Sequence, residues 1–184
     1  MSLEKINFFA SKMQVACGKD KTRPEMQCVY FENGYAYATN AHLLVRNRID
    51  QISNLSTDQI MALDGKMIHK KDFAQLSRFD VITVTEEGIE AITEERKAFF
   101  YFYESEKGYP DTESIIQSIE NASIKEVSVF GINFQETTNA QKALPEPMVK
   151  MIFKGANKGV IIRPTNDEYN DCMAIIMPLQ INGE

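Results

Sequence analysis

One pattern recurs three times along these 184 residues: a short helix followed by three strands. The first helix is read from Lys5 to Cys17, where Ile6, Phe9, Met13 and Ala16 recur at helical spacing and form a face to bury. Pro24 marks the exit loop. Cys28 to Phe31 and Tyr35 to Ala38 then flank Asn33-Gly34, two residues that tolerate positive φ, so the spacing predicts a tight hairpin. A third strand follows at Leu43 to Val45. The second unit has a strand at Met67-Ile68, a helix over Lys70 to Phe79 with Phe73 and Leu76 inward, and strands Val81 to Val84, Ile89 to Ile92 and Ala98 to Tyr103. Poor alternation in the last predicts that both of its faces are covered. The third unit has a strand at Val127 to Phe130, a helix over Asn133 to Leu144 that ends before Pro145, and strands Met148 to Phe153, Gly159 to Arg163 and Met173 to Met177. Phe9, Phe73 and Phe134 are spaced by about sixty residues, the signature of a repeat architecture.

Helices beside antiparallel strands give an α+β layer fold. The expected organisation is a domain over 1–108, made of half-units 1–63 and 64–108, followed by 109–184. That last part holds a connecting segment and the third half-unit. The connector Asp50 to Leu63 is read as a link, and Tyr109-Pro110-Asp111 as the start of a short helix.

Composition narrows the function. Hydrophobic residues are 43% and charged residues 25%, the range of globular domains, and no run approaches the eighteen apolar residues of a membrane helix. The N-terminal stretch lacks an apolar signal core, and Cys17, Cys28 and Cys172 are scattered with no CxxC spacing. The expectation is a cytoplasmic protein with neither zinc site nor disulfide framework. A net charge of −6 disfavours a large basic surface while leaving room for a local basic stripe. No P-loop, GxGxxG, HExxH, GxSxG or EF-hand pattern is present. His42 and His69 are read as structural, and the acidic runs Glu94-Glu95 and Asp167-Glu168 as solvated loops. Nothing singles out a nucleophile or a carboxylate pair, so the reading is a protein that is not an enzyme and needs no cofactor and no metal.

Three stretches, in order, are similar to the replicative sliding clamp, the β subunit of bacterial DNA polymerase III. Ala38-Thr39-Asn40-Ala41-His42-Leu43-Leu44 resembles its ATDGHRL signature, Tyr109-Pro110-Asp111 its FPDY segment, and Ile175-Ile176-Met177-Pro178-Leu179-Gln180 its closing VVMPMRL. Gly131-Ile132-Asn133-Phe134 leading to Lys142-Ala143-Leu144 looks like the clamp's last helix, and Ile161-Ile162-Arg163-Pro164 like the strand after it. The resemblance implies a DNA clamp-like fold, with helices on one face of curved sheets. It also implies a processivity or recruitment role on duplex DNA, without sequence preference. Polymerase or other replication proteins would dock through a linear peptide motif. Clamp domains are pairs of half-units and their rings hold six domains. Three half-units therefore look like a compact or truncated relative and a homo-oligomer: four chains for a full ring, or a dimer completed across a two-fold axis.

Two surfaces follow from the resemblance. Lys5, Lys12 and Lys19 are seven apart and line one stripe if the first helix reaches Lys19; Lys70, Lys71 and Arg78 mark the second helix, and Lys142 the third. Facing a central hole, Lys5, Lys12, Lys70, Lys71, Arg78 and Lys142 would touch phosphates. The competing reading is an ordinary solvated helix face. By motif, a peptide groove would be lined by Thr39, His42, Leu43, Leu44, Met177, Pro178 and Leu179. The competing reading there is strand core. Asn40-Ala41 stands where the signature has Asp-Gly, and Leu43 and Gln180 stand where it has Arg. The lost glycine alters the turn, and the lost arginines remove polar handles at the rim. Two alternatives stand beside the clamp reading: a clamp-fold peptide-binding accessory module that does not encircle DNA, and a small-molecule enzyme on an α+β scaffold.

Overall fold

A computed structural model of the protein describes residues 11–124, 131–155 and 158–179. The predicted hairpin is present: β1 (Cys28–Glu32) and β2 (Tyr35–Thr39) pair antiparallel, closing at Glu32 opposite Tyr35. Asn33 and Gly34 take φ of 52° and 79°, the mirror-image turn whose twist matches the strands it joins. The chain returns as β3 (Leu43–Arg48), while β4 (Met67–His69) adds to the other side of β1. In the third unit β8 (Val149–Ile152), β9 (Val160–Pro164) and β10 (Met173–Ile176) pair in turn. β10 then pairs antiparallel with β3, from Arg46 opposite Met173 to Leu43 opposite Ile176. Among the described residues the result is one seven-stranded sheet, β4-β1-β2-β3-β10-β9-β8, which joins the first and third units and takes β4 from the second.

The second unit's β5 (Val81–Val84), β6 (Gly88–Ile92) and β7 (Lys97–Tyr101) form their own three-stranded sheet. The chain leaving β7 runs to β4, where the Tyr103 N–H donates to the Met67 carbonyl at 2.7 Å. β7 is covered on one face only: Phe100 is 7% exposed and Tyr101 69%. The expected two-sided burial fails because β7 packs against the core through one face only, and the aromatic residues on its other face pack on one another, Phe99 edge-on to Tyr101 at 4.8 Å.

Alternation along the large sheet sends side chains to two cores. On one face Phe31, Ala38, Leu43, Val45, Ile162 and Ile176 meet Phe73 and Leu76 of the helix Lys70–Leu76 and Ala140 and Ala143 of the helix Phe134–Ala143. These two helices are α3 and α5, the second capped by Asn133. Asn47, fully buried, donates from Nδ2 to the Ala143 carbonyl at 2.8 Å and so satisfies the last turn of α5 from β3. On the other face Tyr37, Leu44, Ile161, Met173 and Ile175 meet Ile116 and Ile119 of a further helix, Thr112–Glu120. The helices of the half-units thus share one face, and the helix of the connecting segment covers the opposite one.

Three further expectations are corrected. The described part of the first helix is a 3-10 turn, Met13–Ala16, and Cys17 is already extended. The Gly18 N–H donates to the Met26 carbonyl at 2.7 Å, and a Cβ at Gly18 would sit 3.3 Å from that oxygen. This close crossing turns the chain away before Lys19, which is therefore not on a helical stripe. Lys5 to Ala10 lie outside the described residues, as does the expected strand Val127 to Phe130. The segment read as a link from Asp50 to Leu63 contains two short helices, α1 (Ile49–Ile52) and α2 (Thr57–Ala62), the second closed by a reciprocal Ser56–Gln59 capping box. With these, the helix over Thr112–Glu120 is α4. Lastly α3 stops at Leu76, short of the expected Phe79.

Candidate functional site

A groove of about 510 Å³ opens where the 39–44 segment, β10 and the start of α4 meet. Its first wall is the turn between β2 and β3. The Asn40 side-chain Oδ1 accepts the N–H of His42 at 2.9 Å and of Leu43 at 2.8 Å. Thr39 Oγ1 donates to the Leu43 carbonyl at 2.9 Å and accepts the Ala41 N–H at 3.2 Å. These bonds hold Ala41 at a φ of 75°, where a Cβ costs about 1–2 kcal/mol. The Met177 N–H donates to the His42 carbonyl at 2.8 Å, which lays the chain after β10 along the same turn.

The second wall is α4 and the residues before it. Asp111 caps α4, accepting from the Ser114 hydroxyl at 2.6 Å and its N–H at 3.1 Å, and these bonds hold its carboxyl below the usual range. Tyr109 stacks on Tyr30 at 4.8 Å. Glu113 accepts from Arg46 Nη1 at 3.1 Å and from the Tyr37 hydroxyl at 3.2 Å. Burial, then the Glu113 charge, raises the Tyr37 phenol. Docked in this way, α4 turns Ile116 inward and presents Thr112 and Ile115 to the groove. Ile115 is 45% exposed and Met177 39%, so the groove has an apolar rim open to solvent.

Of the residues named from the motif, Thr39, His42, Leu43, Leu44 and Met177 line the groove. Leu43 and Leu44 are also buried in the two cores, so both readings of them hold at once. Pro178 and Leu179 lie past its lining; the Leu179 N–H donates to the Gly131 carbonyl at 2.9 Å, outside the groove. Arg23, Met26, Ala41, Pro110, Thr112, Ile115 and Ile175 also line it and are not among the residues named from the motif. Pro110 had a signal, the Tyr109-Pro110-Asp111 segment; Met26 and Ile115 had none beyond being apolar.

The exposed cations Lys71 and Lys142 lie on α3 and α5, on the opposite face of the sheet from α4, while Lys12 directly precedes the 3-10 turn at Met13 and Arg78 follows α3 by two residues. The Lys12 N–H donates to the Lys142 carbonyl at 2.9 Å, which brings these two residues together. Lys70 differs: it is half-buried and its ammonium donates to the Gly18 carbonyl. Lys5 lies outside the described residues.

The thiols and His69 are taken up by the fold. All three thiols are buried, and burial pushes Cys28 up to about 12 and Cys172 to about 11, the reverse of activation. His69 caps α3, its Nδ1 accepting the Lys71 N–H at 3.3 Å, and burial lowers its basicity. Among the described residues, no group of three or more His, Cys, Asp or Glu is placed to hold a metal ion, and no helix is long and apolar enough to cross a membrane.

No protein-family model matches the chain, and no curated protein matches it. Solved structures do. A DNA polymerase sliding clamp from Bacillus subtilis superposes with a TM-score of 0.66 over 92% of this chain, at 18% identity. The H. pylori beta clamp in complex with diflunisal gives 0.66 over 97% at 13% identity. The C. crescentus beta sliding clamp, with polyethylene glycol at a proposed beta-motif tethering region, gives 0.65 over 92% at 11% identity. The chain has the sliding-clamp fold. It spans 61–66% of the length of those clamps. At such identities the shared property is the fold, and what a clamp-fold chain does rests on its own surfaces.

Within the clamp fold, the turn at Asn40-Ala41 carries a measurable strain. Ala41→Gly is expected to remove the Cβ cost at φ 75° while adding about 0.5–1 kcal/mol of unfolded-chain entropy. The net gain, about 0–1.5 kcal/mol, corresponds to a rise of up to about 3–6 °C in Tm for a chain of this size. A thermal scan checks it; a lowered Tm would mean that the turn bears no strain.

Proposed function

We propose that this chain is a non-enzymatic, clamp-like recruitment factor on duplex DNA. Polymerase or other replication proteins dock a linear peptide motif in the groove between the 39–44 turn and α4. The observation that carries the reading is the groove itself: an apolar, solvent-open cleft built by the segments that resemble the clamp's motifs, in a chain with the clamp fold. Its volume falls in the range of sites that take small ligands or a few side chains. The exposed cations Lys12, Lys71, Arg78 and Lys142 supply contacts that ignore base sequence, as a sliding protein needs, while the net charge of −6 discourages adhesion elsewhere.

A fluorescent polymerase-tail peptide tests the groove by anisotropy. Binding is expected, and Met177→Asp is expected to weaken it by about tenfold or more, because a charge on the rim replaces an apolar contact. No binding, or equal binding by the variant, would sink the groove assignment. A second reading, an accessory module that does not encircle DNA, is favoured by one feature: α5 carries a single cation, Lys142, so the third helix offers little to phosphates. Light scattering of the native protein and its retention on closed circular against linear DNA decide between the two. A closed oligomer retained on circles supports the ring; a monomer that still binds the peptide supports the module.

A further inference from the structure

The groove turn is held from outside by one carboxylate on a distant element. Glu136, in the first turn of α5, is 9% exposed and accepts from Asn40 Nδ2 at 3.1 and 3.2 Å. Asn139 Nδ2 donates to it at 3.4 Å, and the N-terminal end of α5 favours its negative charge. A carboxylate this buried needs such partners, and here they are supplied.

We infer that Glu136 is the positioning residue of the peptide groove, acting through Asn40. This rests on the reading of the groove as a peptide site. The Asn40 side chain works in two directions: Oδ1 accepts the His42 and Leu43 N–H groups while Nδ2 donates to Glu136. An ionised carboxylate only accepts, so it admits one of the two amide orientations. The flipped amide would set Oδ1 against the carboxylate and Nδ2 against two N–H donors. Fixing the amide fixes the turn, including Ala41 at φ 75°. The turn in turn sets the His42 carbonyl that receives the Met177 N–H, and His42 and Met177 both line the groove. An aspartate at position 40 would accept as well as asparagine but has no N–H to donate, so Asn40 and Glu136 are a matched pair.

Hydrogen exchange at the His42, Leu43 and Met177 amides reads this coupling without any ligand. Glu136→Ala and Asn40→Asp are each expected to speed exchange at those three amides by about tenfold, the loss of one hydrogen bond to a charged group. Exchange at Ile116 in α4 should stay unchanged. In the double variant Asn40→Asp/Glu136→Gln the new amide donates to the new carboxylate, and exchange at the three amides should return to near the native rate. In parallel, the polymerase-tail peptide should bind the two single variants more weakly and the double variant normally. Unchanged exchange in Glu136→Ala, or failure of the double variant to restore it, overturns the inference. A native protein that shows this exchange pattern but binds no peptide keeps the Glu136–Asn40 coupling and overturns the groove's proposed role instead.

Discussion

Ile116→Ala is expected to cost about 3 kcal/mol of stability, within the range for emptying a buried isoleucine, and about 6–12 °C of Tm. Ile116 is fully buried at the centre of the second core, among Leu44, Ile161, Met173 and Ile175. With Ile119 it is the apolar anchor of α4 in that core, so the cavity falls where one nine-residue helix meets the sheet. A helix that short has little stability of its own and depends on this packing. The function should therefore fall with the fold: α4 loosens, and with it the groove wall made by Thr112 and Ile115. The neighbouring Ile115→Ala provides the contrast. Its side chain is 45% exposed, so its stability change should stay within about 0.5 kcal/mol while peptide affinity still drops. Chemical denaturation of both variants, with peptide anisotropy alongside, checks the pair. Equal stability losses at the two positions would show that α4 is not held by one face.

Replacing Lys12, Lys71, Arg78 and Lys142 together by glutamine is expected to reduce the slope of log K against log salt for duplex DNA by about 3–4. Each phosphate contact contributes about 0.9 to that slope. Affinity at fixed moderate salt should fall by about tenfold or more for the same reason. These four are exposed, whereas Lys70 already donates to a backbone carbonyl and adds little if removed. Because the substitutions also make the protein more acidic, a variant that loses the exposed Lys21, Lys107, Lys150 and Lys158 is the matched control. Binding of a short duplex across a salt series reads both. A control that loses as much slope as the test variant would attribute the effect to total charge and remove the DNA-facing assignment.

Much of the clamp fold was legible in the chain because its signals are local. Asn33-Gly34 needs only its own two φ angles to turn a hairpin, and Asn133 and Asp111 cap α5 and α4 through bonds to residues two or three away. Phe73 and Leu76 share a helix face by spacing alone, and both are buried. The clamp-like motifs likewise pointed to the 39–44 turn and Met177 as neighbours. What the sequence left open depended on partners far along the chain. The first helix ends before Lys19 because Gly18 crosses Met26, and Lys70 is withdrawn from solvent by the Gly18 carbonyl. Periodicity could place Ile115 and Ile116 on a helix. Only the docking of α4, through Glu113 with Arg46 and Tyr37, decided which would be core and which would line the groove. The pairing of β3 with β10 and the bond from Asn40 to Glu136 join residues that no local rule relates. Local backbone preference and apolar spacing are properties of a few neighbouring residues and survive in the sequence. The choice of hydrogen-bond partner for a buried polar group, and of the face a strand or helix covers, is made only when the packed elements exclude water and leave one partner within reach.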